Sequence, residues 1–179
     1  MSRVNLVPVT IPDSVELKCY GNKLLFQNSI GRREFILNSS ILYKYDGNKL
    51  LLSIDKNNFN KKINALLGTY ISNINNFIYG ITKGFSLCLE INGIGYKAGY
   101  NGKYLTLSLG FSHDIIYRIS EHVKCECIKQ DIVITGIDKQ KVHMLASDLC
   151  KIRKFNPYKG KGIVLKGKIM LRKETSKKK

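Results

Sequence analysis

Twelve of the chain's thirty Lys and Arg residues fall between Lys151 and Lys179, where Glu174 is the sole acid. That gives this stretch a net +11 out of a total of +17. The charge is broken by a patterned run, Asn156-Pro157-Tyr158-Lys159-Gly160-Lys161-Gly162. Each residue type here suits a phosphate-rich partner. Lys159 and Lys161, on one side of an extended segment, would neutralise phosphates. Tyr158 offers a flat face to an unpaired base or a ribose. Gly160 and Gly162 carry no side chain, so their backbone N–H groups could approach phosphates closely. Lys166, Lys168, Arg172 and Lys173 continue the charge, alternating past Val164 and Met170. The implied partner is a polyanion, with RNA the first candidate.

Part of this charge has a plainer use. Lys151, Arg153 and Lys154 fall in the expected last turn of a helix, where cations complement the helix dipole, and Pro157 is expected to stop that helix. A purely solvated tail does not fit Ile163-Val164-Leu165 and Ile169-Met170-Leu171, which call for an ordered segment. Only Lys177-Lys178-Lys179 reads as a mobile polycation that orders on binding.

Catalytic chemistry finds little support. His113, His122 and His143 lie far apart with no nucleophile motif beside them. The chain holds no GxxxxGK[ST] phosphate loop and no GxSxG elbow. Asn92-Gly93-Ile94-Gly95-Tyr96 lacks the third glycine of a dinucleotide fingerprint, so its glycines read as a bend between strands. The five cysteines form no disulfide framework. Cys125-x-Cys127 puts two thiols on one strand face, but Cys19, Cys88 and Cys150 are scattered, and all five read as small buried hydrophobes. No metal and no cofactor is expected. No apolar run is long enough to span a bilayer. The first residues resemble neither a signal nor a transit peptide, so the expectation is a protein working where it is made.

The elements that must position the basic run are legible as a repeat. Leu50-Leu51-Leu52-Ser53-Ile54-Asp55-Lys56 parallels Val133-Ile134-Thr135-Gly136-Ile137-Asp138-Lys139, each an apolar strand leading into a helix. Ile63, Leu66, Leu67, Tyr70, Ile71 and Ile74 mark one helix face, and Val142, Leu145, Ala146 and Leu149 mark the other. Asp138 is the expected N-cap of the second helix. Upstream of each lies a meander with turns at Gly21-Asn22, Asp46-Gly47 and Asn101-Gly102. Tyr20 to Leu25 and Tyr100 to Leu105 correspond at a constant offset of eighty. The fold class expected is α+β, with two tandem similar domains. Each is a small, mostly antiparallel sheet closed by one helix. The boundaries are residues 1–82, 83–155, and a basic C-terminal extension at 156–179.

The Pro157-Tyr158-Lys159-Gly160-Lys161-Gly162-Ile163 run closely resembles the signature of the bacterial-type large-subunit ribosomal protein six family. Further stretches are similar to that family in order along the chain. They are Met1-Ser2-Arg3-Val4 with Pro8-Val9 and Ile11-Pro12, Gly93-Ile94-Gly95-Tyr96, Leu107 to His113, Gly136 to Gln140, and the basic end. The resemblance implies two similar α+β domains, no enzymatic activity, and binding to large-subunit rRNA near the sarcin–ricin loop and the translation-factor site. It implies RNA contacts at Tyr96, Lys97, His113, Tyr158, Lys159, Gly160, Lys161 and Gly162, to which the basic pattern adds Lys154, Lys166, Lys168, Arg172 and Lys173. The expected partners are that rRNA and neighbouring ribosomal proteins, with no membrane and no homo-oligomer. Two departures stand out: Lys154-Phe155-Asn156 replaces the usual Pro/Ser and acidic residue, and the segment from Asp55 to Lys62 is unusually rich in Asn and Lys. The rival readings are an RNA-modifying enzyme with a basic docking tail and a peripheral protein of anionic membranes. Heavy use of Asn, Ile and Lys suits an A+T-rich genome and tilts the expected compartment towards a mitochondrion, with a plastid or a bacterial cytoplasm as alternatives.

Overall fold

A computed structural model describes residues 8–54 and 60–174. The first seven residues, 55–59 and 175–179 lie outside the described residues, and with them the Asp55-Lys56 half of the repeat and the terminal lysines. The chain divides into two compact units between Lys83 and Gly84.

In the first unit, β2 (Glu16–Tyr20), β3 (Lys23–Gln27) and β4 (Arg32–Ile36) form an antiparallel meander. A second sheet has the order β1 (Val9–Thr10), β6 (Lys49–Ile54), β5 (Ile41–Asp46), also antiparallel. The turns at Gly21 and Gly47 have φ of 56° and 58°, a left-handed geometry that glycine adopts without strain. The helix α1 (Lys61–Thr82) follows, capped by Asn60, whose Oδ1 accepts from the Lys62 N–H at 3.3 Å. Leu67, Ile71 and Ile74 are buried as their spacing requires, and the face runs on to Phe77, Ile78 and Ile81. Leu66, expected on that face, is exposed. Phe26, Phe35 and Phe77 pack edge to face with centroids 5.7–6.4 Å apart, tying α1 to the meander.

The second unit repeats the plan and adds to it. A meander of β8 (Lys97–Tyr100), β9 (Tyr104–Ser108) and β10 (Ile115–Arg118) is inserted between strands of a four-stranded antiparallel sheet. That sheet has the order β11 (Val123–Ile128), β12 (Asp131–Gly136), β7 (Phe85–Asn92), β13 (Gly162–Leu165). The helix α2 (Lys139–Ile152) buries Val142, Leu145, Ala146 and Leu149, the four residues its periodicity marks. Asp138 caps it, accepting from the Gln140 N–H at 3.0 Å. Cys125 and Cys127 share the inner face of β11, and burial pushes the Cys125 thiol up to about 11. The α+β class with two similar halves is the observed one.

Two local expectations change. Pro157 does not stop α2, because the chain leaves helical geometry at Arg153, with φ −133° and ψ 91°. The segment expected as a basic extension from Asn156 does not stay apart from the fold either. Gly162–Leu165 pairs antiparallel with β7, from Gly162 opposite Asn92 to Leu165 opposite Leu89. Apolar burial drives this: Ile163 is 2% exposed and joins the second unit's core. Ile169 and Leu171 behave otherwise and stand in solvent. Among the described residues no helix is long and apolar enough to cross a membrane.

The strand assignment has a stability consequence. Ile163→Ala is expected to cost about 2–5 kcal/mol in urea denaturation, whereas Leu171→Ala should stay within about 0.5 kcal/mol. Equally small effects would mean that β13 is not part of the core.

Candidate nucleic-acid interface

One end of the second unit gathers three loops: β7–β8, β9–β10, and the connection from α2 to β13. Tyr96 links the first two. Its ring is 8% exposed and lies where a Cβ on Gly93 would meet it at 2.5 Å and one on Gly110 at 3.2 Å. Expected as an RNA contact, Tyr96 is instead a core side chain. Its stacking face is covered by protein, and the glycines around it make room for the ring.

Gly110 opens the β9–β10 loop, and the next residue connects that loop to the end of α2. The Arg153 guanidinium carbon lies 4.8 Å from the centroid of Phe111, a cation–π contact. Arg153 also accepts at its carbonyl from the Ile163 N–H at 3.0 Å. His113, exposed two residues beyond Phe111, has Nδ1 3.3 Å from the Ser112 hydroxyl. Lys97 is exposed at the start of β8, opposite Ser108, whose hydroxyl donates to Asp114 at 2.6 Å.

Residues 156–161 are a closed turn and not an extended strap. Asn156 Oδ1 accepts from the N–H groups of Tyr158 at 2.9 Å and Lys159 at 3.1 Å. The Asn156 carbonyl accepts from the Gly160 N–H, and the Asn156 N–H donates to the Lys161 carbonyl, both at 2.8 Å. Asn side chains favour this local capping of backbone donors. The N–H groups of Tyr158, Lys159 and Gly160 are therefore engaged within the turn. The glycines serve shape: Gly160 takes a φ of 66°, and a Cβ on Gly162 would sit 2.7 Å from the Phe155 Cα. What faces outward is side chain, with Lys154, Tyr158 and Lys159 all exposed and Lys161 half-buried.

Downstream, the Lys173 N–H donates to the Pro157 carbonyl at 3.1 Å, and the Arg172 side chain lies over Gly160. The fold thus brings Lys97, His113, Lys154, Tyr158, Lys159, Lys161, Arg172 and Lys173 to one end of the unit. It does not bring Lys166 and Lys168 there, since both follow the far end of β13. Lys166 Nζ pairs with Asp131 at 2.7 Å, and the bond to that carboxylate holds its ammonium above the usual lysine range. Arg153, Phe111 and the exposed Ile94 at the β7–β8 tip belong to this end, but the basic pattern did not single them out. A Gly-Ile-Gly tip and an aromatic after Gly110 were the available signals. Among the described residues, no group of three or more His, Cys, Asp and Glu side chains comes together as a metal site.

Known proteins resemble the chain along its whole length. A family model described as ribosomal protein L6 matches residues 92–164, from the end of β7 through the turn to β13. The chain is 40% identical to the large ribosomal subunit protein uL6 of Neisseria gonorrhoeae over 179 residues, covering 99% of this chain and 100% of that protein. This chain belongs to the ribosomal protein L6 (uL6) family. It is similarly related to the uL6 proteins of Helicobacter hepaticus, at 39% over 181 residues, and Paramagnetospirillum magneticum, at 37% over 179. Each comparison covers 99% of this chain and 100% of the relative. The uL6 family is one of structural ribosomal proteins and not of enzymes. These relatives are bacterial and give the expected organelle no support. An Asn/Ile/Lys bias follows the base composition of a genome, which does not specify a compartment.

The turn's geometry orders two substitutions. Gly162→Ala combines a 2.7 Å backbone clash with a φ of 138°, and should cost about 2–4 kcal/mol. Gly160→Ala meets only the movable Arg172 side chain, and should cost about 1–2 kcal/mol. Denaturation midpoints of the two variants check the order, and the reverse order would contradict the packing assigned to Gly162.

Proposed function

We propose that this uL6 chain is a structural constituent of a bacterial-type large ribosomal subunit. It binds large-subunit rRNA near the sarcin–ricin loop and the translation-factor site. The observation that carries the reading is the closed turn at 156–161, which turns Tyr158 and Lys159 outward beside Lys154. Lysines neutralise phosphates there, Tyr158 stacks on an unpaired base, and His113 and Lys97 extend the surface across the neighbouring loops. The rigid turn favours binding because its backbone conformation is already set before RNA arrives. A bacterial cytoplasm fits the relatives.

Deleting residues 155–179 would remove β13 along with the cations, so point changes give the cleaner test. Against an rRNA fragment bearing the sarcin–ricin loop, Lys159→Gln should lower the slope of log affinity against log salt by roughly 0.7–0.9. Tyr158→Ala should weaken binding by about 1–3 kcal/mol with an unchanged slope. Lys166→Gln, already paired with Asp131, should change the slope least. Equal slopes for the Lys159 and Lys166 variants would leave bulk charge, and not the turn, as the source of binding.

A further inference from the structure

After β13 the chain makes a second short excursion, residues 166–173, pinned at both ends. At its start the Lys168 N–H donates to the Leu165 carbonyl at 3.0 Å, and Lys166 pairs with Asp131. At its end the Lys173 N–H donates to the Pro157 carbonyl, and the Arg172 guanidinium lies against Gly160. Lys166 and Arg172 reach back to the protein, yet the side chains of Lys166, Lys168, Arg172 and Lys173 are all exposed. Lys168 sits near enough to Cys150 for its charge to oppose the upward push that burial gives the thiol. Met170 is half-buried between its neighbours. Ile169 and Leu171 remain, 90% and 79% exposed.

We propose that this pinned ribbon is a protein-docking element. It inserts Ile169 and Leu171 into an apolar cleft edged by carboxylates on a neighbouring ribosomal protein. The inference rests on the ribosomal reading above and names a partner class for two side chains that RNA contact does not explain. Branched aliphatic side chains have no stacking face and no hydrogen bond to offer a phosphate or a base edge. The chain does not lack room for apolar residues, since Ile163 and Val164 just upstream are buried. Two aliphatics exposed two positions apart in a basic run mark a place that another surface covers. Lys166, Lys168, Arg172 and Lys173 border them, so the complementary rim is acidic. A second copy of this chain would bring a like-charged end against its own and does not fit.

The test uses the full-length chain and the double variant Ile169→Ser with Leu171→Ser. Both positions are too exposed for folding to depend on them. Affinity is measured for protein-free large-subunit rRNA and for large-subunit particles lacking only this protein. The variant should match the native chain on bare rRNA and bind the particles about tenfold more weakly or worse. A benzoylphenylalanine photocrosslinker at position 171 should then label a ribosomal protein in the reconstituted subunit. An equal loss on rRNA and particles, no loss on either, or a crosslink to RNA would overturn the docking role. So would loss of phosphatidylglycerol vesicle binding with particle binding intact. If the native chain binds neither rRNA nor particles, the ribosomal reading fails and takes this inference with it.

Discussion

The pairing of β13 with β7 is the constraint on which the basic end depends. Gly162–Leu165 lies along β7, Ile163 enters the core, and the Ile163 N–H reaches back to the Arg153 carbonyl. Gly162 is pressed so closely on the backbone of Lys154 and Phe155 that no side chain fits between them. The end of α2 and the start of β13 are therefore fixed relative to each other, and the residues joining them have only a short gap to close. Fixing a free backbone costs roughly 1–2 kcal/mol per residue. Here folding of the core meets that cost for the turn, so a partner that binds the turn does not.

The same core reaches the other two loops through aromatic contacts. Tyr96 fills the space left by Gly93 and Gly110, and Phe111, one residue on, meets the Arg153 guanidinium. Loops from β7–β8 and β9–β10 are thereby braced against the segment that begins the turn. The second unit carries little net charge before Lys151, so its share in binding is directional. It aims a small number of cations, and electrostatics supplies the attraction over distance.

Much of this was legible in the sequence where local periodicity and packing agree. The α2 face at Val142, Leu145, Ala146 and Leu149 and its cap at Asp138 follow from spacing and one carboxylate. The apolar run Ile163-Val164-Leu165 correctly signalled order, though not that its partner strand would be β7, about seventy positions earlier. The turn was harder to see. Alternating Lys and Gly reads as extended chain, yet Asn156 draws three successive N–H groups back on itself, and Gly160 goes left-handed. The Asn156 amide oxygen caps the turn without adding a negative charge. Tyr96 was misread because its burial depends on Gly110, fourteen positions away, and no periodic signal links the two. Alternation along residues 168–172 does not show which side chains meet the protein, and there only Met170 is half-buried.

Amide hydrogen exchange on the RNA-free chain tests the central claim most directly. If β13 fixes the turn before any partner binds, the Ile163 and Lys166 amides, bonded to the Arg153 and Cys88 carbonyls, should exchange only through global unfolding. Their rates would then match those of core amides in β7 and β12. Exchange of Ile163 and Lys166 as fast as the exposed amides around Ile169 would contradict the account. It would show that the basic end is shaped by its partner and not by the fold.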